Sequence, residues 1–223
     1  TMRLFALLLV AFLPWRVKRL VLNRFFGFDL SPKAYIGLSL IAPKHLVMKE
    51  GARIGHLNVA IHLDKMFLGK NSMIVRSNWI TGFPVRTESR HFSHQPNRDS
   101  SLYLGDESSV TKHHHIDCTN TVTIGKFVTV AGYSSQFLTH SIDIYKCRQD
   151  SKPIVIGDYC FIGTGVKVLG GAVLPAHSVL AAGAVLTRPY TEEWKIYGGV
   201  AAKPIKDIPA NAAYFKRQHG FVY

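Results

Sequence analysis

From Ile156 onward a large aliphatic residue falls at every sixth position: Ile156, Ile162, Val168, Leu174, Leu180 and Leu186. Four places after each of the first five come small or modest side chains, Cys160, Val166, Ala172, Ser178 and Ala184. Helical amphipathicity repeats near 3.6 and strand alternation near 2, so neither accounts for a period of six. A fixed short period with aliphatic and small residues in register is the mark of a solenoid. Six-residue units of this kind form parallel β-helices, in which each unit makes one flat side and three sides close a coil. The fold class expected is therefore an all-β solenoid.

The same beat runs upstream at Leu104, Val110 and Ile116, then, after two extra residues, at Ile124 and Val130. Ile36, Ile54 and Leu68 open weaker units, each followed by glycine. Two segments break the rhythm: a polar, basic excursion over 82–101 and a shorter one over 142–153. Long loops in a compact repeat are uncommon and often functional. The reading divides the chain into an apolar and basic helical segment (1–30), a β-helix (31–206) and a short helix and tail (207–223). The last is expected to cover the open end of the array.

Lys and Arg number 27 against 14 Asp and Glu, giving a formal net charge of +13. Such a balance favours an anionic partner: nucleic acid, phospholipid headgroups or a phosphorylated cofactor. No nucleic-acid recognition motif is present, which disfavours the first. Cys118, Cys147 and Cys160 are scattered, without CxxC spacing, and suit reduced thiols in the cytoplasm. Near the start, "MRLFALLLVAFLP" is too short to span a bilayer, and the small residues of a cleavage site do not follow. In "WRVKRLVLNRFF", Leu20, Val21, Phe25 and Phe26 mix with Arg16, Lys18, Arg19 and Arg24. Residues 2–28 thus suit a helix lying peripherally on an anionic membrane, the inner face of the cell membrane for a cytoplasmic protein, or one packed on its own protein.

The run "KPIVIGDYCFIGTGVKVLGGAVLPAHSVLAAGAVLT" resembles the hexapeptide-repeat acyltransferases. The nearest likeness is to their maltose/galactoside acetyltransferase and polysaccharide O-acetyltransferase branch, and it extends from about Ile36 to Lys206. The resemblance implies a left-handed β-helix, a homotrimer with sites in clefts between prisms, acetyl-CoA as acyl donor, and a sugar or glycan acceptor.

Acyl transfer from a thioester to a hydroxyl needs a base, and histidine is suited to that at neutral pH. "THSID" resembles the segment that carries the family's catalytic histidine, which makes His140 the candidate base and Asp143 a candidate for holding its tautomer. Counting sixes from Ile124 places Gln136 in an aliphatic slot and His140 in an interior one. A one-residue slip near Tyr133–Gln136 is therefore expected, turning His140 outward. In "KHHHID", strand alternation sends His113 and His115 to one face and His114 to the other. The matching rung of the sugar acetyltransferases carries acceptor-contacting polar residues, so the resemblance makes His113 and His115 candidate acceptor contacts; Arg90 and His94 of the long excursion, with Arg86, His91 and Arg98, are candidates too.

For CoA the resemblance points to Thr164, to Ala182 in "LAAGA", to Thr187 and Arg188, and to Lys203 and Lys206 in "GGVAAKPIK", where Ala201 replaces the family's proline. Basic side chains suit its phosphates. The γ-class carbonic anhydrases share the fold and bind metal through three histidines, but the residue five beyond His140 is Tyr145, so that pairing is absent and no metal is expected. The expected activity is CoA-dependent O-acetyl transfer to a sugar or glycan hydroxyl. N-acylation of an amino sugar and a non-catalytic scaffold are the alternatives. A nucleotidyltransferase is disfavoured because no Rossmann-like domain precedes the repeats.

Overall fold

The computed structural model describes residues 2–85 and 87–222. Three parallel sheets form the sides of a prism, and the chain visits them in turn. The first side holds strands 29–30, 45–48, 65–68, 101–104, 122–124, 154–156 and 173–174. The second holds 35–36, 53–54, 73–76, 109–112, 129–130, 161–162, 179–180 and 195–198, and the third 40–42, 59–61, 79–82, 115–118, 136–138, 167–169 and 185–186. The expected fold, a left-handed parallel β-helix of hexapeptide units, is the one found.

The beat in sixes is the inner lining. On the first side Leu68, Leu104, Ile124, Ile156 and Leu174 stand in register, on the second Val110, Val130, Ile162 and Leu180, on the third Ile116, Phe137, Val168 and Leu186, all buried. Each ladder places aliphatic side chains one strand spacing apart, which makes a continuous dry core. A Cβ on Gly163 would lie 2.6 Å from the backbone nitrogen of Ala182, so glycine after the aliphatic lets successive coils close on one another.

The corner between the second and third sides carries a polar column: Ser39, Asn58, Asn78, His114 and Ser135, all buried. Asn78 donates to Asn58 Oδ1 at 3.0 Å, and the His114 N–H donates to Asn78 Oδ1 at 2.9 Å. His114 Nδ1 accepts from the Ser135 N–H at 3.2 Å, so its Nε2 carries the proton toward Thr111. Burial, helped by the neighbouring His113, pushes the His114 pKa down to about 4. A neutral, bonded imidazole therefore replaces the small residue of this slot.

Helices at Met2–Val10 and Trp15–Phe25 close the amino-terminal end of the prism. Leu7 and Leu22 join the core. Lys18 Nζ donates to the Gly37 carbonyl at 3.0 Å and to that of Ile36 at 3.4 Å, and Asn23 exchanges two hydrogen bonds with the Leu30 backbone. These side chains stand in for the missing next strand and satisfy an otherwise open edge. The outer surface of the helices remains apolar, with Phe5 64%, Phe12 70% and Leu20 68% exposed.

The carboxy-terminal segment does not cover the far end, contrary to expectation. Strand 203–207 folds back antiparallel on 195–198, and the rest runs back along the corner between the first and second sides. That corner presents a stack of Phe127, Tyr159, His177 and Trp194, with neighbouring centroids 4.6, 5.5 and 4.4 Å apart. Phe215, in the 3-10 turn Ala213–Lys216, packs on Trp194, Arg217 lies over Tyr214 at 3.9 Å, and the Gly220 N–H reaches Glu107. The aromatic tail is held through ring contacts, Phe215 on Trp194 of that stripe and Tyr214 on Phe161 of the second side, both edge-to-face.

Candidate active site

The third side shows how His140 leaves the interior. Phe137, not Gln136, continues the ladder from Ile116 to Val168, so seven residues separate it from Val130. Gly132 and Ser134 both adopt positive φ, 71° and 58°, in the corner that takes up the extra residue. The one-residue slip expected from the sequence is present, and His140 emerges with 46% of its side chain exposed. The excursion that follows is an antiparallel hairpin, strands 140–143 and 148–151, which begins at His140 itself.

The carboxylate on His140 is Asp117, which sequence reasoning missed. Its Oδ2 lies 2.8 Å from His140 Nδ1 and also accepts from the His140 N–H at 3.1 Å and the Thr139 N–H at 2.9 Å. Its Oδ1 accepts from the Thr119 N–H at 3.0 Å and the Thr119 hydroxyl at 2.7 Å. Burial would raise the Asp117 pKa, but hydrogen bonds from His140, Thr119 and Thr139 outweigh it and hold the carboxyl ionised far below its ordinary range. An ionised carboxylate only accepts, so Nδ1 carries the proton and the Nε2 lone pair is left free. The hydrogen bond to Asp117 and its charge raise the His140 pKa, against a smaller opposing effect of burial.

Asp143 does not reach the imidazole. Its Oδ1 caps the hairpin turn, accepting from the Tyr145 and Lys146 N–H groups at 3.1 and 3.2 Å. The hairpin carries Asp143 three residues along a new strand, while Asp117 lies one coil back beneath His140. Once Phe137 is matched to Ile116, Asp117 pairs with Leu138, and that register is the signal that would have found it.

The long excursion, residues 83–100, packs against the hairpin. Gln95 donates to Asp150 Oδ1 at 2.9 Å and accepts from the Ser151 hydroxyl at 2.7 Å. Buried Phe92 sets its ring edge-on to His140, centroids 6.3 Å apart. Arg98, expected near the acceptor, instead turns inward: it donates to the carbonyls of Phe83, Thr119 and Pro84 and lies over the Phe92 ring at 4.7 Å. Arg86 lies outside the described residues.

His140 stands in the wall of one of two cavities of about 350 Å³ each, and Phe92, whose ring meets that of His140, lines the other. One borders the imidazole directly, between the base of the hairpin and the third side, with Leu138, Lys152, Leu169, Gly170 and Thr187 in its walls. The other lies between the excursion and the hairpin tip and includes Arg90 and His94. Neither is lined by His113, which sits exposed in a corner with φ 54°, or by His115, which opens strand 115–118. Thr187 lines the same cavity as His140, and Arg188 next to it stacks on Tyr190. Thr164 and Ala182 line the opposite edge of the third side, where the Thr164 hydroxyl bonds the Tyr133 backbone at 3.0 Å. Lys203 and Lys206 are exposed on the final strand, so one prism does not gather all the candidate CoA contacts.

No protein-family profile matches the chain, and no curated protein matches it by sequence. Solved structures do. A variant of AntD, an N-acyltransferase from Bacillus cereus in complex with dTDP-4-amino-4,6-dideoxyglucose and coenzyme A, superposes with a TM-score of 0.57 at 12% identity, over 89% of this chain and 93% of that one. The chain has the hexapeptide-repeat acyltransferase fold. A hexapeptide-repeat acetyltransferase from Vibrio cholerae (TM-score 0.47, 19% identity, 93% of this chain and 90% of that one) and a maltose O-acetyltransferase from Clostridium difficile (0.43, 14%, 92% and 83%) are also similar. Within that fold, the His140–Asp117 pair, a buried carboxylate on a half-exposed imidazole, has the geometry of a held base.

Proposed function

We propose that the protein transfers an acetyl group from acetyl-CoA to a hydroxyl of a sugar or glycan. The observation that carries this is the ionised Asp117 on Nδ1 of a half-exposed His140 at the mouth of a cavity. Nε2 takes the hydroxyl proton as the oxygen attacks the thioester carbonyl carbon. The C–S bond then breaks, and the imidazolium returns that proton to the leaving CoA thiolate. Asp117 fixes the tautomer and stabilises the imidazolium between the two steps. The acyl donor lies on the Thr187 side, with Thr164 and Ala182 contributed by a neighbouring prism in a homotrimer and Arg188, Lys203 and Lys206 available to the CoA phosphates.

Residues 2–28 add a place of work. The exposed apolar faces of both helices lie among Arg3, Arg16, Arg19 and Arg24, and no acidic residue occurs before Asp29. This combination supports peripheral attachment to an anionic lipid surface. Among the described residues no helix is long and apolar enough to cross a membrane.

The test is thiol release from acetyl-CoA across a panel of sugars, glycans and amino sugars, the last included because the AntD structure holds one. Wild type should turn over at least one acceptor, and His140→Ala should lose roughly 10²- to 10⁴-fold in kcat. Equal rates in the two proteins exclude His140 as the base, and no turnover with any acceptor favours a scaffold.

A further inference from the structure

We propose that the acceptor is an anionic sugar, bound through its carboxylate or phosphate in the cavity between residues 83–100 and the hairpin tip. This rests on the acyl-transfer reading and names its substrate class.

The cavity walls carry Arg90, His91, His94 and Arg148, with Gln149, Cys147, Ile142 and the Phe92 ring between them, and no Asp or Glu. Sugar hydroxyls both donate and accept, so a site for a neutral sugar needs acceptor side chains in its walls. Guanidinium groups only donate, in a planar fork that fits carboxylate or phosphate with two parallel hydrogen bonds. Arg90 and Arg148 give this wall two forks that only donate, while its acceptors are limited to Gln149 and the imidazoles.

The arginines are also left available. Arg148 stands across the hairpin from Asp143, the nearest carboxylate by register. Asp143 is already committed to the turn N–H groups of Tyr145 and Lys146 and lies 3.8 Å from Lys146 Nζ. Among the described residues, neither Arg90 nor Arg148 takes part in an ion pair. In a chain with this charge excess the unclaimed cations of the cavity meet no internal competitor, and an anionic ligand gains most from them.

Position fits the role as well. Phe92 lines this cavity and its ring stands perpendicular to that of His140, centroids 6.3 Å apart, while the cavity of Thr187 lies at the base of the same hairpin. Direct attack needs acceptor and thioester bound together near the base. The Thr187 cavity takes the donor, and the basic cavity, which Ile142 lines two residues beyond His140, is left for the acceptor.

The experiment uses matched acceptors in the full chain: a glucuronate-containing disaccharide against its neutral glucose analogue, and N-acetylglucosamine 1-phosphate against N-acetylglucosamine. Binding is read by ligand-detected NMR and turnover by thiol release, for wild type, Arg90→Gln/Arg148→Gln and His140→Ala. Wild type should bind at least one anionic member roughly 10- to 100-fold tighter than its neutral partner. The double variant should lose that preference, and His140→Ala should keep it. The arm that responds separates carboxylate from phosphate. Equal binding of neutral partners, no binding of either anion, or a preference unchanged in the double variant overturns the inference. Acetyl transfer to neutral acceptors that depends on His140 would leave the proposed activity standing while this inference falls.

Discussion

At the scale of single residues, the site rests on one carboxylate with no vacant acceptor position. Asp117 takes hydrogen bonds from two threonines, the His140 N–H and the imidazole, so the ring has one orientation and one tautomer. The pH dependence follows from the sign of the shift. Because Asp117 raises the His140 pKa, the neutral base form dominates only above an inflection higher than that of free histidine. Activity should therefore fall as pH drops through that raised value. Asp117→Asn removes the charge, so the acid limb of kcat/KM should move to lower pH, while the plateau falls roughly 10²-fold or more as the tautomer is lost. A variant with an unshifted limb and a full plateau would show that Asp117 only supports the fold. His140 was legible in the sequence through its motif; Asp117 was not, because the two are 23 residues apart and meet only through coil register. Asp143 looked the better partner by proximity along the chain, and a turn claimed it.

At the scale of elements, the regular coils were readable because one large and one small side chain in every six residues must face a narrow interior. The excursions were not, since a hairpin such as 140–151 carries no period and takes its position from what it packs against. The slip before Phe137 was readable in part: an outward histidine required it, while Gly132 and Ser134 with their positive φ show where the extra residue goes. The amino-terminal helices pack on their own protein through Lys18 and Leu22, and they leave Phe5, Phe12 and Leu20 facing out, which the membrane proposal takes up. Wild type should sediment with phosphatidylglycerol-containing vesicles and not with phosphatidylcholine alone, less so at high salt. Phe5→Asp/Phe12→Asp/Leu20→Asp should abolish this with little change in Tm, because the exposed positions carry few core contacts. Equal partition of the triple variant would assign the exposed apolar face some other role.

At the scale of the whole molecule, the third side separates two sets of residues that the proposed reaction would need together. Thr164 and Ala182 precede strands 167–169 and 185–186, whereas Gly170 and Thr187, beside His140, follow them. Ala182 and Thr187 are five residues apart along an extended side, roughly 15 Å. A second prism laid against this one in a closed ring would bring the Ala182 edge of one subunit to the His140 edge of the next. The arrangement has an arithmetic consequence. His140→Ala and Ala182→Trp should each be inactive alone, the first lacking the base and the second blocked where the donor arm lies. Co-expressed and randomly mixed in such a ring, a site is intact when one subunit supplies His140 and its neighbour supplies Ala182. That happens in about one quarter of sites, so about one quarter of wild-type specific activity should return. Sites built within single prisms would give no recovery, because every chain then carries one of the two lesions.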